Sequence, residues 1–409
     1  MTNRDDRPLD LVVFGATSFV GQILCRHLVE RHGTDGSLRW AIAGRSASKL
    51  ASVAADTGAT VEQIVVDAAD AAGLADLAGR TKVVVSTVGP YALYGSPLVA
   101  AVAAAGTDYC DLTGETQWMR KMIDAHQTDA EHSGARVVHT CGFDSIPSDL
   151  GVWFTQQRAQ EQFGEPCVRI DMRVESMKGG ASGGTVASMV NLVEEAAKDK
   201  ELRMLLADPY ALAPPDLRTG PAQPDLARPM RDEATDQWLA PFVMAAVNTR
   251  VVHRSHALLG RPWGPDFRYR ETMAMGPGPL GATKAGVVSG GLVASMGAMA
   301  VGPIRRTLAK YVLPKPGEGP SPEAQRKGSF DVRFRGTTAD GRTIDTKVTG
   351  DRDPGYGSTA KMLGEAAFAL VELPTAAKDG GLWTPSTVLG DALIERLEAH
   401  AGLRFDVIS

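Results

Sequence analysis

A chain of 409 residues that is 44% hydrophobic and 22% charged is too long for one hydrophobic core and too apolar for disorder, so two globular domains are expected. A formal net charge of −5 leaves no cationic footprint for a polyanion and excludes nucleic acid as a partner. The four cysteines (Cys25, Cys110, Cys141, Cys167) lack pairing or ligand spacing, which excludes a disulfide framework and a metal centre, and 1–10 carries no apolar leader, so a cytoplasmic protein is expected.

From Leu9 to Thr140, short β-branched runs alternate with stretches of helical period. The runs 9–14, 39–43, 61–66, 82–86, 107–112 and 136–140 predict six strands, with helices at 98–105 and 116–133 among the connections. That alternation is an α/β pattern, a Rossmann-type doubly wound parallel sheet. The first strand runs straight into Gly15-Ala-Thr-Ser-Phe-Val-Gly21, which opens a helix. A pyrophosphate there would meet bare N–H groups and the positive end of the helix dipole, so Gly15, Thr17, Ser18, Phe19, Val20 and Gly21 are candidate cofactor residues. Ser18 occupies the position where the spacing usually has its middle glycine.

The second strand ends on Ala43-Gly44-Arg45-Ser46. An acid at that point would hold ribose hydroxyls; here Gly44 is followed by a guanidinium and a hydroxyl suited to a 2′-phosphate, so NADPH is favoured over NADH. Asp67 closes the third strand, either on the adenine amine or as a helix N-cap. Thr87, Val88, Gly89, Pro90 and Tyr91 follow the fourth strand, where a flat nicotinamide ring could approach the backbone at Gly89. Tyr94 places a phenol nearby, either at the mouth of the site or as a packed aromatic. After the sixth strand, Cys141-Gly-Phe-Asp-Ser-Ile-Pro147 puts Asp144 and Ser145 at the carboxyl edge of the sheet, with Ser145 also suited to cap a helix over 142–158. Cys141 is read as a buried hydrophobe rather than a thiol nucleophile.

The domain crossing is placed here, giving a first domain of 1–147, an α+β domain of 148–355 and C-terminal helices in 356–409. In the middle domain a strand at 168–175 leads through a glycine-rich loop to Gly183, Gly184 and Thr185 at the start of a helix over 185–199, a candidate substrate site. A proline-rich loop occupies about 205–230, and strands at 330–335 and 342–348 flank an Asp340-Gly341 turn. The uncharged segment 285–304 is bounded by Lys284 and Arg305, and its glycines make it an interfacial or buried helix, with peripheral contact at the inner face of the membrane as the partner reading. Helical period returns at 360–373 and 385–399, before a last apolar run at 403–408.

Together, Gly15–Gly21, Ala43-Gly44-Arg45, Val88–Gly95, Tyr109–Glu115, Cys141–Asp149, Lys178–Thr185, Gly381–Pro385 and Leu393–Leu397 give an end-to-end resemblance to the saccharopine dehydrogenase-like oxidoreductases, nearest to the mycobacterial trans-acting enoyl reductase branch. The resemblance implies an NADP-type Rossmann domain, a middle domain for substrate and self-association (hence a homo-oligomer), and a last helix returning to the first domain. It also implies reduction of a C=C bond in a polyketide-derived, phthiocerol-type lipid, carried as an acyl thioester. On that reading Tyr94 or Asp144, with Ser145 beside it, supplies the proton, and amides at Gly183–Thr185 face the developing enolate. Two other readings stay open. One is a C–N oxidoreductase on an amino-acid adduct, using Arg250, His253 and Arg254. The other is a nucleotide-binding, lipid-associated scaffold without turnover.

Overall fold

The computed structural model describes residues 4–36, 38–179, 183–304, 307 and 319–409. They form two compact units, the first made of residues up to 146, Gly319 and Gly355–Gly402, the second of 147–304 with Pro320–Pro354 and Leu403–Ser409.

The first unit is built on Leu9–Phe14 (β1), Trp40–Gly44 (β2), Glu62–Val65 (β3), Thr81–Ser86 (β4), Asp108–Asp111 (β5) and Arg136–Val138 (β6). A late strand, Gly381–Trp383, joins them in the order Gly381–Trp383, β6, β5, β4, β1, β2, β3, and every pairing is parallel. A parallel sheet covered on both faces needs strands apolar on both sides, and β1 meets this with all six residues buried. Helices Phe19–His32, Ala47–Thr57, Ala71–Arg80, Ser96–Ala105 and Thr116–Ser133 make the crossovers. Thr359–Glu372 packs against Phe19–His32 and β4, and Arg136 on β6 donates to the carbonyls of Leu373 and Pro374 just past its end. A guanidinium at a helix C-terminus satisfies carbonyls that have no partner inside the helix and offsets its dipole. Buried Asp108, on the neighbouring strand, balances that charge by accepting from Arg136 Nε.

The second unit holds a mixed sheet in the order Leu403–Val407, Thr343–Gly350, Ser329–Thr338, Cys167–Lys178, Arg268–Ala274, Gln237–Pro241, Met230–Asp232. The pairing of Cys167–Lys178 with Arg268–Ala274 is parallel and the others are antiparallel. Ser329–Thr338 alternates between buried and half-buried positions along its whole length, the pattern of a sheet with one face in the core. The expected hairpin is present, with Thr337 opposite Thr343. The expected helix after residue 141 starts later and runs further, as Ile146–Phe163. Residues 403–409, expected with the first domain, instead extend this sheet, because Leu403 and Phe405 bury their side chains as the strand pairs with Thr343–Gly350.

The segment 285–304 lies mostly in the helix Gly278–Ala300, which packs against Gln237–Pro241 and the helix Gly183–Lys198. It buries Ala285 and Ser289 and leaves Leu280, Val287, Val293 and Met296 exposed. Among the described residues no helix is long and apolar enough to cross a membrane.

Candidate active site

The carboxyl ends of β1, β4, β5 and β6 lie side by side, and the loops leaving them carry most of the expected site residues. In open α/β sheets ligands collect beyond these ends. The turn after β1 requires both of its glycines. Gly15 has φ +89°, and a Cβ there would stand 2.6 Å from Val88 Cγ2; at Gly21 a Cβ would come within 2.3 Å of the Gly15 carbonyl oxygen. A side chain at Gly15 would collide with the loop after β4, and one at Gly21 would force the helix Phe19–His32 away from the turn. Ser18, in place of the usual glycine, has an extended backbone and caps that helix: its Oγ accepts from Gly21 N at 2.9 Å and donates to Thr87 Oγ1 at 2.9 Å. The Thr87 hydroxyl donates in turn to the Gly15 carbonyl at 2.9 Å. The backbone amides of Thr17, Phe19 and Val20 donate to no acceptor among the described residues. Three free N–H groups at a helix start, backed by a turn with no room for side chains, fit a diphosphate. Phe19 turns its ring edge-on to Tyr356, 5.1 Å between centroids.

At the end of β2, Gly44 is buried and Arg45 is exposed, with no ion pair or hydrogen bond among the described residues. Ser46 caps the next helix through Lys49 N at 3.4 Å. Asp67 is exposed and closes an Asx turn by accepting from Ala69 N at 2.9 Å; the helix cap one reading gave it is made by Asp70, which accepts from Gly73 N. After β4, Val88 and Pro90 are half-buried and Gly89 is exposed. Tyr91 lies inside the fold: its hydroxyl donates to Ser86 O at 2.9 Å and its ring packs on Trp118. The two carboxylate oxygens of buried Glu115 accept from the amides of Tyr91 and Ala92, both at 2.8 Å, which anchors this loop.

Tyr94 is 48% exposed at the end of the short helix Tyr91–Tyr94. Asp144 sits in the turn after β6, which is pinned where Phe143 N donates to Thr359 Oγ1 at 2.9 Å. Burial pushes its carboxyl up to about 7, and the charge of Asp111 pushes the same way. A carboxyl that keeps its proton near neutral pH is fitted to act as an acid. Ser145 is fully buried beneath that turn. Cys141 is likewise buried, its thiol directed at backbone carbonyls.

Sequence reasoning missed the pair at the centre of this edge. His139 turns to Asp111 rather than to Cys141, with Nδ1 2.7 Å from Asp111 Oδ2. The two residues are 28 positions apart, and only the pairing of β5 with β6 brings them together. The available signal was local: both stand at the ends of predicted strands, where side chains reach the crevice.

In the second unit Gly183, Gly184 and Thr185 form the first turn of the helix Gly183–Lys198, and 180–182 of the preceding loop lie outside the described residues. The basic trio needed for an amino-acid carboxylate is not presented to a ligand. Arg250 is buried against Asp225 and the Leu206 carbonyl, and Arg254 donates to the Leu212 carbonyl. Buried His253 is held neutral, its pKa pushed down to about 3 by burial and then by His256 and Arg250.

No family model matches the chain. It is 43% identical over 409 residues to a Mycobacterium tuberculosis protein assigned as a trans-acting enoyl reductase, with 96% of each chain covered. The trans-acting enoyl reductases of Mycobacterium bovis and Mycobacterium ulcerans are 39% and 38% identical over the same share of both chains. Among solved structures, the L-glutamate-forming saccharopine dehydrogenase of Saccharomyces cerevisiae has a TM-score of 0.55 at 13% identity, covering 98% of this chain and 100% of that one, a likeness of fold.

Proposed function

The chain belongs to the family of mycobacterial trans-acting enoyl reductases, and from that premise we propose that it is an NADPH-dependent oxidoreductase that reduces the C=C bond of an α,β-unsaturated acyl thioester, in a polyketide-derived lipid of phthiocerol type. One observation carries the cofactor assignment. The turn Gly15–Gly21 offers three unpaired amides at a helix start, and the next strand ends on a guanidinium with no partner among the described residues. A nicotinamide nucleotide bound there supplies the hydride for the β-carbon. The chain's own part is to fix the diphosphate by backbone donors, select the 2′-phosphate with Arg45, and deliver a proton to the α-carbon.

Of the two expected acids, the observations favour Asp144. It is half-buried beside the carboxyl ends of β5 and β6 and titrates near neutral pH, whereas Tyr94 stands largely in solvent. The exposed apolar face of Gly278–Ala300 supports contact of the second unit with a lipid or membrane surface, and self-association through that unit belongs to the same proposal.

The test is a pair of fluorescence titrations with NADPH and NADH, followed by loss of nicotinamide absorbance on adding enoyl thioesters. Arg45→Ala should weaken NADPH roughly 10- to 100-fold, the worth of a charge-assisted hydrogen bond, and leave NADH unchanged. Equal loss for both nucleotides would remove the selectivity argument.

A further inference from the structure

Asp111 and His139 form a buried dyad whose outer nitrogen has no partner among the described residues. The carboxylate is saturated by donors: Oδ1 accepts from the amides of Thr113 and Thr140, each at 3.1 Å, and Oδ2 accepts from the Tyr109 hydroxyl at 3.0 Å. With every other contact a donor, the Nδ1 that lies 2.7 Å from Oδ2 must carry a proton and donate it. With Nδ1–H committed to Asp111, Nε2 is the ring's remaining site, a lone pair in the neutral ring and an N–H donor once the ring carries a second proton. It is buried, and no donor or acceptor among the described residues reaches it. Buried polar atoms are almost always paired, so one left open at the carboxyl edge of a parallel sheet is a place for a ligand atom.

The surroundings hold the ring rather than merely bury it. Trp118 and Tyr109 meet it edge-on, at 5.0 and 6.0 Å between centroids. Thr140, next in the chain, is a β-branched residue at φ +63°, a conformation such side chains adopt rarely, and it is kept there by its amide bond to Asp111 and its hydroxyl bond to the His139 carbonyl. A strained residue locked against a functional pair is the usual mark of a site in which orientation matters.

We propose that His139 is a catalytic residue of the enoyl reduction, its Nε2–H donating to the carbonyl oxygen of the acyl thioester, with Asp111 as its positioning residue. The inference rests on the enoyl-reductase reading above. When hydride adds to the β-carbon, the C=C π pair moves to form the Cα–C bond of an enolate and the carbonyl π pair moves onto oxygen. That oxygen is the atom Nε2–H meets. The enolate then collapses as the α-carbon takes a proton from Asp144, and the carbonyl re-forms. The imidazolium that serves as donor is stabilised by the Asp111 carboxylate behind it, and the work is divided: one group takes up charge, the other moves the proton.

The test uses the full chain with NADP⁺ and hexadienoyl-coenzyme A, a conjugated thioester whose absorbance moves to longer wavelength when its carbonyl is polarised, and then NADPH in single turnovers. Wild type should show the red shift. His139→Phe, which keeps a ring against Trp118 but has no donor, should lose it and slow the hydride step roughly 100- to 1,000-fold while NADPH binding stays unchanged, and His139→Gln should recover part of both. Asp111→Asn should fall between them. An H139F protein that keeps the red shift or the rate overturns the role of His139 and leaves enoyl reduction standing. A wild-type protein that turns over without any red shift does the same. A wild type that neither binds nor reduces the thioester removes the enoyl reading and this role together. If H139F does not fold, His139→Gln and Asp111→Asn are read against the same two outcomes.

Discussion

Two kinds of residue at the carboxyl edge of the first sheet differ in how far sequence alone reveals them. Gly15, Ser18 and Gly21 act through chain neighbours, and their spacing is legible because a tight turn into a helix is a local event. Ser18 looks like a flaw in the motif until its hydroxyl is seen to cap Gly21 N. Asp111 meets His139 across two strands and its charge reaches Asp144, relations that appear only when β5 and β6 pair. Asp144 makes a prediction of its own. The folded protein holds this proton up to about pH 7, the unfolded chain releases it near 3.8, and the native state therefore loses stability as pH rises between those values. Asp144→Asn should abolish that slope, melting higher than wild type at pH 8 and no higher at pH 4, while its turnover falls roughly 100- to 10,000-fold. A variant that melts lower at pH 8 would show that the carboxyl is not held at a cost.

The elements that the sequence left unread are those whose existence depends on a neighbour. Strands β1, β2 and β4 stand out as apolar runs because both of their faces are covered. Gly381–Trp383 is three residues long and becomes a strand only by pairing with Arg136–Val138. Arg268–Ala274 carries three charges in seven residues, which masks its inward face, where Tyr269 and Glu271 lie buried. The helix Thr359–Glu372 shows how such a late element is secured. Its Glu365 is 1% exposed and accepts from His27 and Arg31 of Phe19–His32 and from Arg396. Against the cost of burial, those partners draw its carboxyl down to about 2 from 4.5. Because the folded value is depressed, the stabilisation is complete above about pH 4.5 and is lost as pH falls toward 2, a term on the order of 3 kcal/mol. Glu365→Gln should lower the melting temperature at pH 7 and bring it close to wild type below pH 2.5; an equal difference at both pH values would mean that shape, not charge, holds the helix.

At the scale of the whole molecule, fold class and the position of the Gly15–Gly21 turn are legible because both follow from the order of strands and helices along the chain. The division into units is less so. The first sheet is assembled from residues 4–146 and 355–402, and the second from the stretch between them together with the final strand. No single cut separates the two. A protein ending at residue 146 should therefore expose the β6 edge and the apolar surface beneath Thr359–Glu372, and be poorly soluble. Adding 355–402 through a short linker should restore a cooperative melting transition, measured by circular dichroism, and failure of the linked protein to melt cooperatively would count against the first unit as an independent folding body.

That interleaving sets a timetable for biogenesis. A ribosome extrudes the Gly15–Gly21 turn well before the strand and helix that complete its sheet, which emerge only after the middle region has been translated, so the nascent first unit leaves an open sheet edge exposed until residues 355–402 have been made.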